Sequence, residues 1–242
     1  MTTSIAGRSE AALGGPASII VRQRREHARL HELVGRVRDT AGTEQDEVLT
    51  QLCRLVFPHA FAEEAVLFPA ARRFLGEGEE NSLEIEQEHQ EINEVYSALE
   101  RSRRGDEGRE KLIERAIALL DHDVRDEEDD LLPRLRERLD DRQLRRLGVS
   151  WEIARRVSPT RAHPAVSRRP PGQTLSALPL TVLDRSRDNL DRLARSAPAP
   201  VAAGSRAVSR ALGTVAGLVE HLPPFERGEH PSTHTPRTEL ES

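Results

Sequence analysis

Four stretches in the first 140 residues carry apolar side chains at alternating three- and four-residue spacing, and one histidine interrupts each apolar stripe. Along 19–39 the stripe holds Ile20, His27, Leu30, Val34 and Val37. Along 44–75 it holds Leu52, Val56, His59, Glu63, Leu67 and Phe74, with Pro58 predicting a kink just before His59. The third stripe runs through Ser82, Ile85, His89, Ile92, Tyr96 and Leu99. The fourth covers 109–140 with Leu112, Ala116, Leu119, His122, Leu131, Leu135 and Leu139. Glycines at 42, 76, 78, 105 and 108 punctuate the series. Short connections between helices of this length predict an all-α fold: an up-down-up-down four-helix bundle over residues 16–140.

Polar residues on the inner faces need an explanation. A lone buried ionisable group is costly, and several in one core cost more unless something pairs with them. A multivalent cation between the helices neutralises them together, and metal sites in bundle cores are built from inward-facing imidazoles and carboxylates. The second and fourth stretches also repeat each other. His59-Ala-Phe-Ala-Glu63-Glu64 and His122-Asp-Val-Arg-Asp-Glu127-Glu128 each reach a proline six residues after the first Glu, at Pro69 and Pro133. Two such arms imply a site of approximate internal symmetry, hence two metals sharing carboxylates.

The arms differ in spacing. At about 100° per residue, His59 and Glu63 lie about 40° apart on one face, whereas His122 and Glu127 lie about 140° apart. By that arithmetic Asp126 is the better partner for His122. Glu127 points inward only where the helix is unwound, as at a π-bulge, or where its longer side chain swings round. Geometry leaves Asp126 and Glu127 both open.

His27, His59-x-x-x-Glu63, His89 and His122-x-x-x-x-Glu127, with their Leu-Phe-Pro and Leu-Leu-Pro tails, resemble the hemerythrin and HHE cation-binding family over about residues 17–140. The resemblance implies two non-haem iron ions with an oxo or hydroxo bridge, Glu63 and Glu127 as bridging carboxylates, His27 and His59 on one iron, and His89 and His122 on the other. Oxygen-carrying hemerythrins have a further histidine where this chain has Asn93. One iron is then a protein ligand short, and water, Tyr96 or His31 are candidates for the gap. An open position favours chemistry with dioxygen, peroxide or nitric oxide over simple oxygen carriage. The alternative is a non-enzymatic module that binds or senses iron or oxygen, with a tail that contacts a protein partner.

The rest of the chain narrows the class further. A formal charge of -5 lacks the basic balance of a nucleic-acid binder, and the apolar runs fall far short of the ~20 residues of a membrane span. Cys53 is the one cysteine, which excludes an intrachain disulfide. Without a recognisable signal segment, a bacterial cytoplasm is the expectation. Residues 1–15 read as a disordered lead-in and 141–157 as a short capping helix anchored by Trp151. Residues 158–174 read as a Pro/Arg-rich linker. Beyond it lies a weakly helical C-terminal tail, to 242, that docks on the bundle or on another subunit. His163, His221, His230 and His234 are expected in solvent.

Overall fold

The computed structural model describes residues 4–233, and every regular element among them is helical. Helix α1 (Ile19–Asp39) starts at Ser18, whose side chain accepts from the Val21 amide. Helix α2 (Gly42–Ala62) packs on α1 and carries on through Pro58, so the proline does not end it. After it comes a π-turn (Glu63–Leu67), then α3 (Phe68–Phe74) and α4 (Gly78–Arg101). Helix α5 (Arg109–Asp126) packs on α4 and runs into a second π-turn (Glu127–Leu131), followed by α6 (Leu132–Arg138).

The two π-turns account for the sequence repeat. Pro69 and Pro133 have no amide hydrogen, and their rings press on the carbonyl four residues back. Widening the turn relieves both problems. The Phe68 amide reaches the Glu63 carbonyl and the Leu132 amide reaches the Glu127 carbonyl, each spanning five residues. Each widened turn therefore begins at an inward-facing glutamate.

The apolar interior falls into two clusters. One gathers Leu30, Val34, Val56, Ile92, Tyr96 and Leu120. The other gathers Ile20, Leu67, Phe68, Ile85, Leu131 and Trp151. His27, His59, His89 and Glu127 each fall, along the chain, between residues of the two clusters.

Helix α7 (Asp141–Arg156) opens with a reciprocal cap between Asp140 and Gln143 and lies against α1 and α2. It crosses the start of α1 so closely that a Cβ on Gly148 would sit 2.1 Å from the Ala17 carbonyl oxygen. The lead-in is packed as well: Ile5 and Leu13 are fully buried and the Ile5 amide bonds the Glu128 carbonyl.

Residues 158–171 form an ordered loop against α4. Arg161 pairs with Glu100, and Arg169 pairs with Glu86 at 2.6 Å. Helices α8 (Gly172–Ser196) and α9 (Ala199–Glu220) then form a hairpin, and Arg54 of α2 bonds Asp188 of α8 at 2.9 Å. His163 is buried, contrary to the sequence expectation. Its Nε2 lies 3.1 Å from Asp184 of α8 and its Nδ1 3.4 Å from Glu220 of α9. His221 is exposed, and His230 is half-buried with its Nδ1 on the Ser232 hydroxyl. Of the last twenty residues, expected from the sequence to be disordered, 234–242 lie outside the described residues, His234 among them, whereas the Phe225 and Arg227 carbonyls accept from the Ser167 and Gly172 amides. No helix among the described residues is long and apolar enough to cross a membrane.

Candidate metal centre

Three of the four expected histidines meet inside the protein. His27, His59 and His89 are at most 5% exposed. The Nε2 atoms of His27 and His59 are 3.2 Å apart. Glu63 spans the centre, with Oε1 2.7 Å from His59 Nε2 and Oε2 3.6 Å from His89 Nε2. Glu127 Oε2 lies 3.1 Å from His27 Nε2.

The fourth histidine points elsewhere. The His122 side chain is 52% exposed, with its Nδ1 against Glu88 at 2.7 Å and Asp126 at 3.5 Å. Asp123 takes the inward place, 3.3 Å from His89 Nε2. The reason is helical phase. Asp123 and Glu127 are separated by four residues, as His59 and Glu63 are, so each pair shares a face; His122 is turned by about 100°. The matching four-residue interval from Asp123 to Glu127 is the signal for this placement in the sequence.

Other candidates stand back from the centre. His31 is exposed, 4.0 Å from Asp121. Asp126 is on the outer face with His122. Tyr96 is buried in the apolar cluster against the Phe57 ring, where burial raises its phenol well above the ordinary value. It lines a cavity of about 420 Å³ together with Cys53 and Arg161. Asn93 donates to the His89 carbonyl and accepts from the His163 amide, so it braces the backbone beneath His89.

Each inward histidine has a carboxylate behind it. Nδ1 of His27 faces Glu128 at 2.8 Å, that of His59 faces Glu26 at 3.0 Å, and that of His89 faces Glu64 at 3.0 Å. Such a partner keeps the proton on Nδ1 and turns the Nε2 lone pair inward, the arrangement of metal-ligating imidazoles. Trp151 packs edge-on to His59 and Phe68 lies against His89.

The donor set fits a cation. Both oxygens of Glu63 and of Glu127, Nε2 of His89 and Oδ1 of Asp123 are buried without a hydrogen-bond partner. Short distances without hydrogen-bond geometry are what neighbouring ligands of one ion display. The ligand atoms of His27, His59, Glu63 and Glu127 all lie within 4.8 Å of one another. Electrostatics agree. Burial disfavours the His27 imidazolium, but Glu127 and Glu128 outweigh it and hold the ring up at about 9. His59 and His89 are raised against the same burial, by Glu63 with Glu26 and by Asp123 with Glu64. Burial also opposes the Glu63 carboxylate, yet His59 and His89 pull it down to about 2. Burial and the Glu63 charge push Glu127 up to about 8. Protons are thus doing what a cation would do for the two carboxylates.

Residues 18–135 match the sequence profile of the hemerythrin HHE cation-binding domain. This stretch is a hemerythrin-like domain. An uncharacterized hemerythrin-like protein of Schizosaccharomyces pombe is 25% identical over 155 residues, covering 64% of this chain and 74% of the relative. No solved structure matches the chain. The hemerythrin-like domain is a metal-binding domain whose His/Glu cluster is the one described above. Its profile ends before α7, so α7 to α9 are additions to it.

Proposed function

We propose that the long helices of the hemerythrin-like domain form an up-down-up-down bundle around a non-haem di-iron centre that meets dioxygen, peroxide or nitric oxide. The observation that carries this reading is the convergence of three outer-braced imidazoles on two buried carboxylates whose oxygens have no hydrogen-bond partner. His27 and His59 would hold one iron, and His89 and Asp123 the other, with Glu63 and Glu127 as the carboxylates the two would share. Imidazole and carboxylate donors suit iron by type.

When bound, the iron pair supplies electrons one at a time and a coordination position for a small ligand. The protein fixes what surrounds it. Glu26, Glu64 and Glu128 keep the three Nδ1 protons in place. Trp151 and Phe68 shield the His59 and His89 rings from water. Asp123 puts an oxygen where the opposite arm has the His59 nitrogen. The His89 side is therefore richer in oxygen donors and favours the harder, oxidised ion.

An anaerobic ferrous titration with optical and Mössbauer readout tests the reading. Two irons per chain in distinguishable environments are expected. Uptake of fewer than about one metal per chain after careful loading would leave a helical bundle without a metal role. Peroxide turnover against a stable oxygenated band then separates decomposition from carriage or sensing.

A further inference from the structure

The C-terminal addition reaches the metal centre. Glu64 turns Oε1 to His89 Nδ1, and its Oε2 accepts from Gln173 Nε2 at 2.9 Å. The same Gln173 amide also donates to the Phe61 carbonyl at 3.2 Å, just ahead of the π-turn that carries Glu63 and Glu64. Gln173 and Glu64 are 1% and 2% exposed, so the contact is made away from bulk water. Arg168 stands 3.8 Å from Glu64 Oε1, with its guanidinium fixed on the His163 and Val166 carbonyls.

The frame holding Gln173 is tight. The Gly172 amide bonds the Arg227 carbonyl, and a Cβ on Gly172 would fall 2.3 Å from the Phe225 carbonyl oxygen. A side chain so anchored fixes the direction of the carboxylate it donates to. That carboxylate in turn fixes the tilt of His89, and outer partners of this kind tune how well an imidazole binds its metal.

We infer that Gln173, from outside the hemerythrin-like domain, is a positioning residue for the metal on the His89 side, acting through Glu64. This rests on the two-metal reading above. It makes the C-terminal hairpin part of the metal centre: anything that undocks α8 loosens one metal and spares the other.

The test titrates the full chain with cobalt(II), following heat and visible d–d bands. A His89→Gln variant identifies the binding step that belongs to His89. Gln173→Met fills the same space without a donor. It is expected to weaken that step about tenfold and leave the other within about threefold, within the usual range for outer partners of metal-bound histidines. Gln173→Glu, which sets a repelling charge against Glu64, is expected to weaken the same step at least as much. In a Glu64→Gln background, Gln173→Met is expected to add nothing. Equal weakening of both steps, no weakening, or a full additional loss in the double variant would overturn the role of Gln173. A wild-type chain that takes up fewer than two cobalt ions would instead overturn the two-metal reading, and this inference with it.

Discussion

A single residue step decides which side chains of α5 reach the centre. Asp123 is buried and His122 is not, although they are neighbours, because one residue along a helix turns a side chain by about 100°. The inward convergence of His27, His59, Glu63 and His89 was legible from the stripes, since each falls in phase with apolar neighbours, whereas Glu127 was favoured over Asp126 only by the family resemblance. The exchange of His122 for Asp123 was hidden because the histidine is the more familiar ligand. A variant set separates the two. On the proposed two-metal reading, Asp123→Ala is expected to remove the metal on the His89 side, and Glu63→Ala or Glu127→Ala most of both metals, because each of these carboxylates would serve both. His122→Ala and Asp126→Ala are expected to retain full loading. Metal content by elemental analysis after equal loading reads all five, and a loss from His122→Ala as large as from Asp123→Ala would reverse the assignment.

At the scale of the element, Gly148 shows how tightly α7 is fitted. It approaches the start of α1 at a distance that admits no side chain, with Ile19 N 2.9 Å from an added Cβ as well as the Ala17 oxygen. Both atoms belong to backbone and cannot swing aside. Gly148→Ala is expected to lift α7 and cost about 1–3 kcal/mol or more, the usual penalty of overpacking. Trp151, the one tryptophan, is 1% exposed on that helix, so its fluorescence should shift to the red as the melting temperature falls. The helix and its Trp151 anchor could be read from the sequence, but its crossing point could not, since a glycine in a helix does not announce what it passes. The π-turns were half legible. Unwinding was the condition for Glu127 to face inward from His122, whereas its structural cause is the paired prolines, and Glu127 faces inward in phase with Asp123.

Across the whole molecule, metal and tail each add stability of a different kind. A cation that binds the folded centre alone stabilises it by about 2.7 kcal/mol at a hundredfold excess over Kd. For a chain of this size that is a rise of roughly 5–10 °C, reversed by a chelator, and calorimetry with and without metal checks it. That the tail docks was an expectation from the sequence, but the face it takes was not legible, because it is held by ion pairs such as Arg54–Asp188 and Arg169–Glu86, which leave no apolar periodicity behind. His163 sits where the loop, α8 and α9 meet. Burial disfavours its charged form, but Asp184 of α8 and Glu220 of α9 outweigh burial and raise it to about 9, while its amide is held by Asn93 of α4. A histidine raised in the folded state contributes stability that is complete below its unfolded value of about 6.5 and lost as pH rises through about 9. Docking of the tail is therefore expected to weaken between about pH 6.5 and 9, with Arg161 still charged and unable to compensate, its own value being raised by Glu100, Asp188 and Asp191 against burial. Urea denaturation of the metal-loaded chain at pH 6.5 and pH 9, set against His163→Gln, checks it. The variant should be less stable at pH 6.5 and should lose less on going to pH 9, and parallel pH slopes for the two proteins would show that His163 carries no such charge.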